Sequence, residues 1–141
     1  MLFRSCLSLL GTWEGSASEK WNAKTSTLQQ ILISVQSQIL IEQPYFNEPS
    51  YESRNNTESG KESSRIYNCE KRLYTLMHAM YNLLLKPESY PEFTDIIKQH
   101  FILKKDYIIG LCDTRIKEPN NTYEKQTKEI VDKLKEKLNS L

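Results

Sequence analysis

Apolar residues recur at helical spacing along most of this chain. Between residues 24 and 43, Leu28, Ile31, Leu32, Val35 and Ile39 fall on one face. Ile33, Leu40 and Ile41 add apolar positions elsewhere, so the pattern predicts a helix enclosed on several sides. Ser26, with Gln29 three residues on, predicts a capping box at its start, and Pro44 ends it. Residues 50–64 are polar and predict a solvated loop. A second helix is expected from about Ser63 to Leu85, with Leu73, Leu76, Met77, Met80 and Leu84 as its apolar stripe. A third is expected from Pro91 to Lys104, with Phe93, Ile96, Ile97 and Phe101 facing inward. Residues 105–116 continue the pattern with Tyr107, Ile108, Leu111 and Cys112 on the packed side, although Gly110 weakens it. After the break at Glu118-Pro119-Asn120-Asn121, Ile130, Val131, Leu134, Leu138 and Leu141 line one side of a charged segment. That segment predicts an amphipathic surface helix. No strand pair is visible, so the chain reads as mostly α.

Composition narrows the classes. The chain has 141 residues and a net charge of +1, which gives no broad electrostatic case for nucleic acid or an anionic membrane. No stretch approaches the roughly 18 apolar residues of a membrane span. The three cysteines, Cys6, Cys69 and Cys112, have wide and irregular spacing, with His78 and His100 the two histidines. This suggests neither a disulfide framework nor a zinc site, and it points to a reducing cytoplasmic or nuclear setting. Two glycosylation sequons, Asn55-Asn56-Thr57 and Asn120-Asn121-Thr122, read as polar loops in the absence of a secretion signal.

The informative motif begins at the N-terminus. Ser5-Cys6-Leu7-Ser8-Leu9-Leu10-Gly11-Thr12-Trp13 is followed by a polar insert and then by Glu19-Lys20-Trp21-Asn22-Ala23-Lys24-Thr25-Ser26. The apolar helix follows, from Leu32 to Leu40 through a Ser-x-Gln-Ser pattern. Next comes Glu42-Gln43-Pro44-Tyr45-Phe46-Asn47-Glu48-Pro49, with Tyr51 closing the run. Over roughly residues 4–116 this order resembles the ubiquitin-conjugating enzymes. The details are most similar to the branch of very large conjugating enzymes typified by apollon. The resemblance implies that the chain carries the C-terminal helical half of the α+β ubiquitin-conjugating fold, from the active-site cysteine onward. The family's His-Pro-Asn motif, its first helix and its four-stranded sheet would lie before that cysteine. They are not encoded in these residues. Residues 1–117 are then a partial ubiquitin-conjugating domain, and 118–141 a charged amphipathic helix.

The resemblance implies a transferase. Cys6 would accept ubiquitin as a thioester and pass it to a substrate lysine, since a thioester is reactive toward amines yet survives transfer between proteins. Taken alone, Cys6 reads as a small apolar residue, and no histidine lies near it in sequence. Glu48 matches the acidic residue bordering the family's active site, where it would orient the incoming lysine; alternatively it is a solvated loop carboxylate. Asn47 offers a side chain of the type lost with the His-Pro-Asn motif. Trp13 and Trp21 read as packing anchors. The implied partners are ubiquitin, the ubiquitin-activating enzyme, and a ligase or protein substrate, with no cofactor or metal. The alternative is a non-catalytic helical fragment or binding module, whose apolar face at residues 26–43 would face water and favour self-association.

Overall fold

A computed structural model describes residues 7–12 and 14–141, and the chain divides into two units, 1–56 and 57–141. Every regular element among the described residues is helical.

In the first unit, a 3-10 turn at Ser8–Leu10 leads through an irregular polar segment to helix α1, Leu28–Ser34, which runs on as a π-turn over Val35–Ile39. The Leu40 N–H bonds the Val35 carbonyl five residues back at 3.0 Å, the spacing that defines that wider turn. The capping box lies one residue later than the pattern predicts. Thr27 accepts from the Gln30 N–H at 3.3 Å, and the Gln30 side chain accepts from the Thr27 N–H at 2.8 Å. Ser26 is not free to cap, because its hydroxyl accepts the Asn22 N–H at 2.9 Å. Ile31, Val35 and Ile39 are half-buried, but α1 has no buried residue, and Leu28 and Leu32 are 67% and 61% exposed. The apolar pattern made a helix here without enclosing it.

The second unit holds three helical runs joined by short turns. Helix α2, Glu58–Tyr74, passes into a π-helical stretch, Thr75–Asn82, and finishes as α3, Leu83–Leu85. It begins about five residues before the predicted start, because Thr57 accepts the Gly60 N–H at 3.0 Å and caps a first turn with no apolar signature. At the change to π geometry the Thr75 hydroxyl donates to the Lys71 carbonyl at 2.9 Å, competing for the acceptor of the regular ladder. Two 3-10 turns, Pro87–Ser89 and Pro91–Phe93, lead into α4, Thr94–Ile116. Gly110 does not interrupt it. Helix α5, Glu124–Asn139, closes the unit.

These segments surround one core. Leu73, Leu76 and Leu84 come from the α2–α3 run, Phe101, Ile108 and Cys112 from α4, and Ile130, Val131, Leu134 and Leu138 from α5. Val131, Cys112, Leu134 and Leu138 have no exposed surface. Three inward expectations fail: Phe93, Ile96 and Tyr107 are 56%, 64% and 71% exposed. Helix α4 is apolar on more than one side, and the core takes the side carrying Ile97, Phe101, Ile108 and Cys112. Leu141 is also exposed.

The connection between α4 and α5 is bonded to α2. Arg72 donates to the Glu118 carboxylate, which Arg115 approaches at 3.7 Å, and Arg65 donates to the Asn120 carbonyl. Asn120 adopts the left-handed conformation at φ 56°, tolerable for asparagine. The Asn121 carboxamide accepts the Tyr123 N–H at 2.9 Å and donates to the buried Thr127 hydroxyl at 3.1 Å. Thr57 and Asn121, members of the two sequons, thus serve as helix-start residues. Lys135 on α5 bridges to Asp113 on α4 at 2.6 Å.

Ionisation sets a pH window for this unit. The cations Arg65, Lys71, Lys135 and Lys128 hydrogen-bond Glu62, Glu70, Asp113 and Glu124 and hold those carboxyls below their usual values. Their contribution is present above the ordinary carboxylate pKa and is lost as pH falls through the lower folded values, below about pH 4. Burial pushes the Cys112 thiol up. Its contribution is complete below the unfolded thiol pKa of about 8.5 and is lost as pH rises toward the higher folded value. Thermal melts followed by circular dichroism are expected to show a plateau that falls at both ends. Cys112→Ala is expected to flatten the decline above about pH 8.5 and leave the acid limb in place. An unchanged alkaline limb would exclude Cys112 as its source.

Candidate functional site

Cys6 and Trp13 lie outside the described residues. The turn that follows Cys6 is closed on itself. The Leu7 N–H donates to the Thr12 hydroxyl at 3.0 Å, and that hydroxyl donates to the Leu7 carbonyl at 3.2 Å. The Leu10 and Gly11 N–H groups bond Leu7 and Ser8 carbonyls at 3.0 and 2.9 Å. Gly11 takes the left-handed conformation at φ 66°, which a side chain would disfavour. Leu7 is 1% exposed, so the backbone next to Cys6 is anchored by burial as well as by hydrogen bonds. The turn also touches α1.

The polar insert folds back on this turn. The Ser8 hydroxyl donates to the Glu14 carbonyl at 3.1 Å. A Cβ on Gly15 would lie 2.8 Å from the Ser8 Cβ, so glycine permits the approach. The Glu19 carboxylate caps the next turn by accepting the Ser16 N–H at 2.6 Å. Trp21 is 46% exposed, so it is not the packing anchor expected of it. Asn22 organises the turn before α1, its side chain accepting the Lys24 N–H at 2.9 Å and its carbonyl the Ser26 N–H at 2.7 Å.

The acidic Pro-bounded loop is a 3-10 turn, Pro44–Asn47, with Glu48 at its C-terminal end. The Asn47 side-chain amide donates to the Gln38 carbonyl at 2.7 Å and ties the loop to the end of the α1 π-turn. That bond gives Asn47 a structural duty. Tyr45 stacks on Tyr51 with ring centroids 4.6 Å apart and meets Phe46 edge-on at 5.3 Å. The Arg54 guanidinium lies 5.7 Å above the Tyr51 ring. Glu48 is exposed, and its carbonyl accepts the Tyr51 N–H at 2.8 Å, so the loop fixes its backbone and leaves the carboxylate to solvent. Spacing alone would not have found the Thr12 bridge or the tyrosine stack, since each depends on the chain turning back between non-periodic positions.

The remaining chemical candidates sit in the second unit. Cys69 and Cys112 are buried free thiols, while His78 and His100 are exposed. Among the described residues no three His, Cys, Asp or Glu side chains are grouped to hold a metal ion, and no helix is long and apolar enough to cross a membrane.

No family model matches the chain. Individual relatives do. A probable ubiquitin-conjugating enzyme of Acanthamoeba polyphaga mimivirus is 40% identical over 136 residues, which is 96% of this chain and 9% of that protein. The human dual ubiquitin-conjugating enzyme and ubiquitin-protein ligase BIRC6 is 46% identical over 108 residues, 77% of this chain and 2% of that protein. A probable ubiquitin-conjugating enzyme of Caenorhabditis elegans is 41% identical over 118 residues, 84% of this chain and 16% of that protein. The chain therefore spans a small part of the curated relatives it matches. The match to the mimivirus protein leaves out about five residues of this chain, so it reaches into α5. Among the described residues there is no strand, which agrees with the helical portion of the conjugating fold. Over most of its length the chain is therefore homologous to ubiquitin-conjugating enzymes.

Proposed function

We propose that Cys6 is the thioester-forming residue of a ubiquitin-conjugating transferase. The homology over most of the chain carries this reading. The Cys6 thiolate attacks the thioester carbonyl that joins ubiquitin to the activating enzyme, and the activating enzyme's thiolate leaves. A substrate lysine amine then attacks the new thioester, an amide forms, and the Cys6 thiolate departs. The closed turn from Leu7 to Thr12 supports this role, because it holds the neighbouring backbone while the thiol reacts. Glu48 is the carboxylate available to orient the lysine, being exposed at the end of a loop tied to α1. The partners are ubiquitin, its activating enzyme, and a ligase or protein substrate, met in the cytoplasm or nucleus.

The test is a charging assay with ubiquitin, activating enzyme and ATP, resolved without reductant. A ubiquitin-sized, reductant-sensitive shift is expected, and Cys6→Ala abolishes it. Cys6→Ser is expected to give a reductant-resistant adduct. Absence of any shift would favour a second reading, a non-catalytic helical module derived from the same domain. The exposure of Leu28 and Leu32 on α1 is the observation on its side.

A further inference from the structure

We propose that the outward face of α4 is a seam for a second copy of this chain, paired antiparallel about a two-fold axis. Ile96, His100, Leu103, Tyr107 and Gly110 follow alternating steps of four and three residues on α4, Phe93 stands at its N-cap three residues before them, and all six are exposed. That spacing is the signature of a helix seam that receives another helix. It lies beside the core-facing row of Ile97, Phe101, Ile108 and Cys112, so α4 presents two apolar sides, one of them filled within the unit.

The area fits such a pair. Phe93, Ile96, Leu103 and Tyr107 are 56%, 64%, 78% and 71% exposed. At about 150–250 Å² for a large side chain, they leave roughly 500 Å² open, the size of a functional patch. Two copies would then bury at most roughly 1,000 Å², the size of a weak, reversible pair.

The seam is also self-complementary. In an antiparallel pair the two seam positions of each repeat alternate across the axis. One register sets Phe93 over the partner's Gly110, Ile96 against the partner's Tyr107, and His100 against the partner's Leu103. The same pairs repeat in reverse order. A Cβ on Gly110 would meet nothing within 4 Å, so the Phe93 ring faces an open position. On the flanks, Gln99 faces the partner's Asp106, and Lys104 lays its stem over the partner's Ile97. A two-fold pair uses each contact twice, which favours a second copy over an unrelated helix.

The experiment is sedimentation equilibrium of the full chain beside Leu103→Glu and Gly110→Leu. A reversible dimer is expected. Leu103→Glu weakens it by at least about tenfold, with helicity unchanged because Leu103 lies on the surface. Gly110→Leu also weakens the dimer, although leucine favours the helix, so affinity and thermal stability move in opposite directions. A monomer at the highest soluble concentration overturns the proposal. So does a dimer indifferent to Leu103→Glu, and a dimer that Gly110→Leu leaves unchanged overturns the antiparallel register.

Discussion

Deleting residues 118–141 is expected to unfold residues 57–117. Helix α5 supplies Ile130, Val131, Leu134 and Leu138 to the shared core, the last three without exposed surface. At about 1.5–3 kcal/mol for each fully buried side chain, the loss is on the order of 8 kcal/mol. A domain this small has about 5–15 kcal/mol of stability in all. The deletion also removes Glu118 and Asn120, and so leaves Arg72 and Arg65 without those two partners. Far-ultraviolet circular dichroism of the truncated chain is expected to show the helical signal of α2 and α4 largely lost. Retention of a cooperative thermal transition would mean that α5 is an appendage.

Leu134→Ala is expected to destabilise the second unit by about 2–5 kcal/mol, as for other large-to-small changes at closed sites. Leu134 has no exposed surface and stands among residues from three helical runs. Leu32→Ala on α1 removes the same atoms from a side chain that is 61% exposed, and its effect is expected within about 0.5 kcal/mol. Urea unfolding of both variants makes the comparison. Similar losses in the two would show that α1 is covered in solution.

Periodicity read α2 and α5 well because each has one apolar stripe and one polar face. Leu73, Leu76 and Leu84, and then Val131, Leu134 and Leu138, all lie where their spacing put them. It failed on α4 because apolar residues there occupy two faces, and spacing cannot tell which one meets the core. The start of α1 was ambiguous for a different reason. Ser26-x-x-Gln29 and Thr27-x-x-Gln30 are overlapping capping boxes, and the choice depends on Asn22 engaging the Ser26 hydroxyl. The early start of α2 was invisible since Thr57 acts through a backbone bond and not through an apolar pattern. At the candidate site, the Pro-bounded loop from Pro44 to Asn47 was legible as a motif. The Asn47 bond to Gln38 and the Leu7–Thr12 closure were not, because they join positions with no common period.

The clamps between α2 and the α4–α5 connection bear on the order in which the second unit assembles. Arg72 reaches Glu118 across 46 positions of sequence, and Arg65 reaches Asn120 across 55. Helices α2, α4 and α5 can each form by local contacts within microseconds, but these two links require the intervening chain to close a long loop first. The pairing of α4 with α5 is short-range and comes first, and α2 docks on it afterwards. The arginine clamps then belong to the native side of the folding barrier. Weakening them would hasten unfolding and leave the refolding rate nearly untouched.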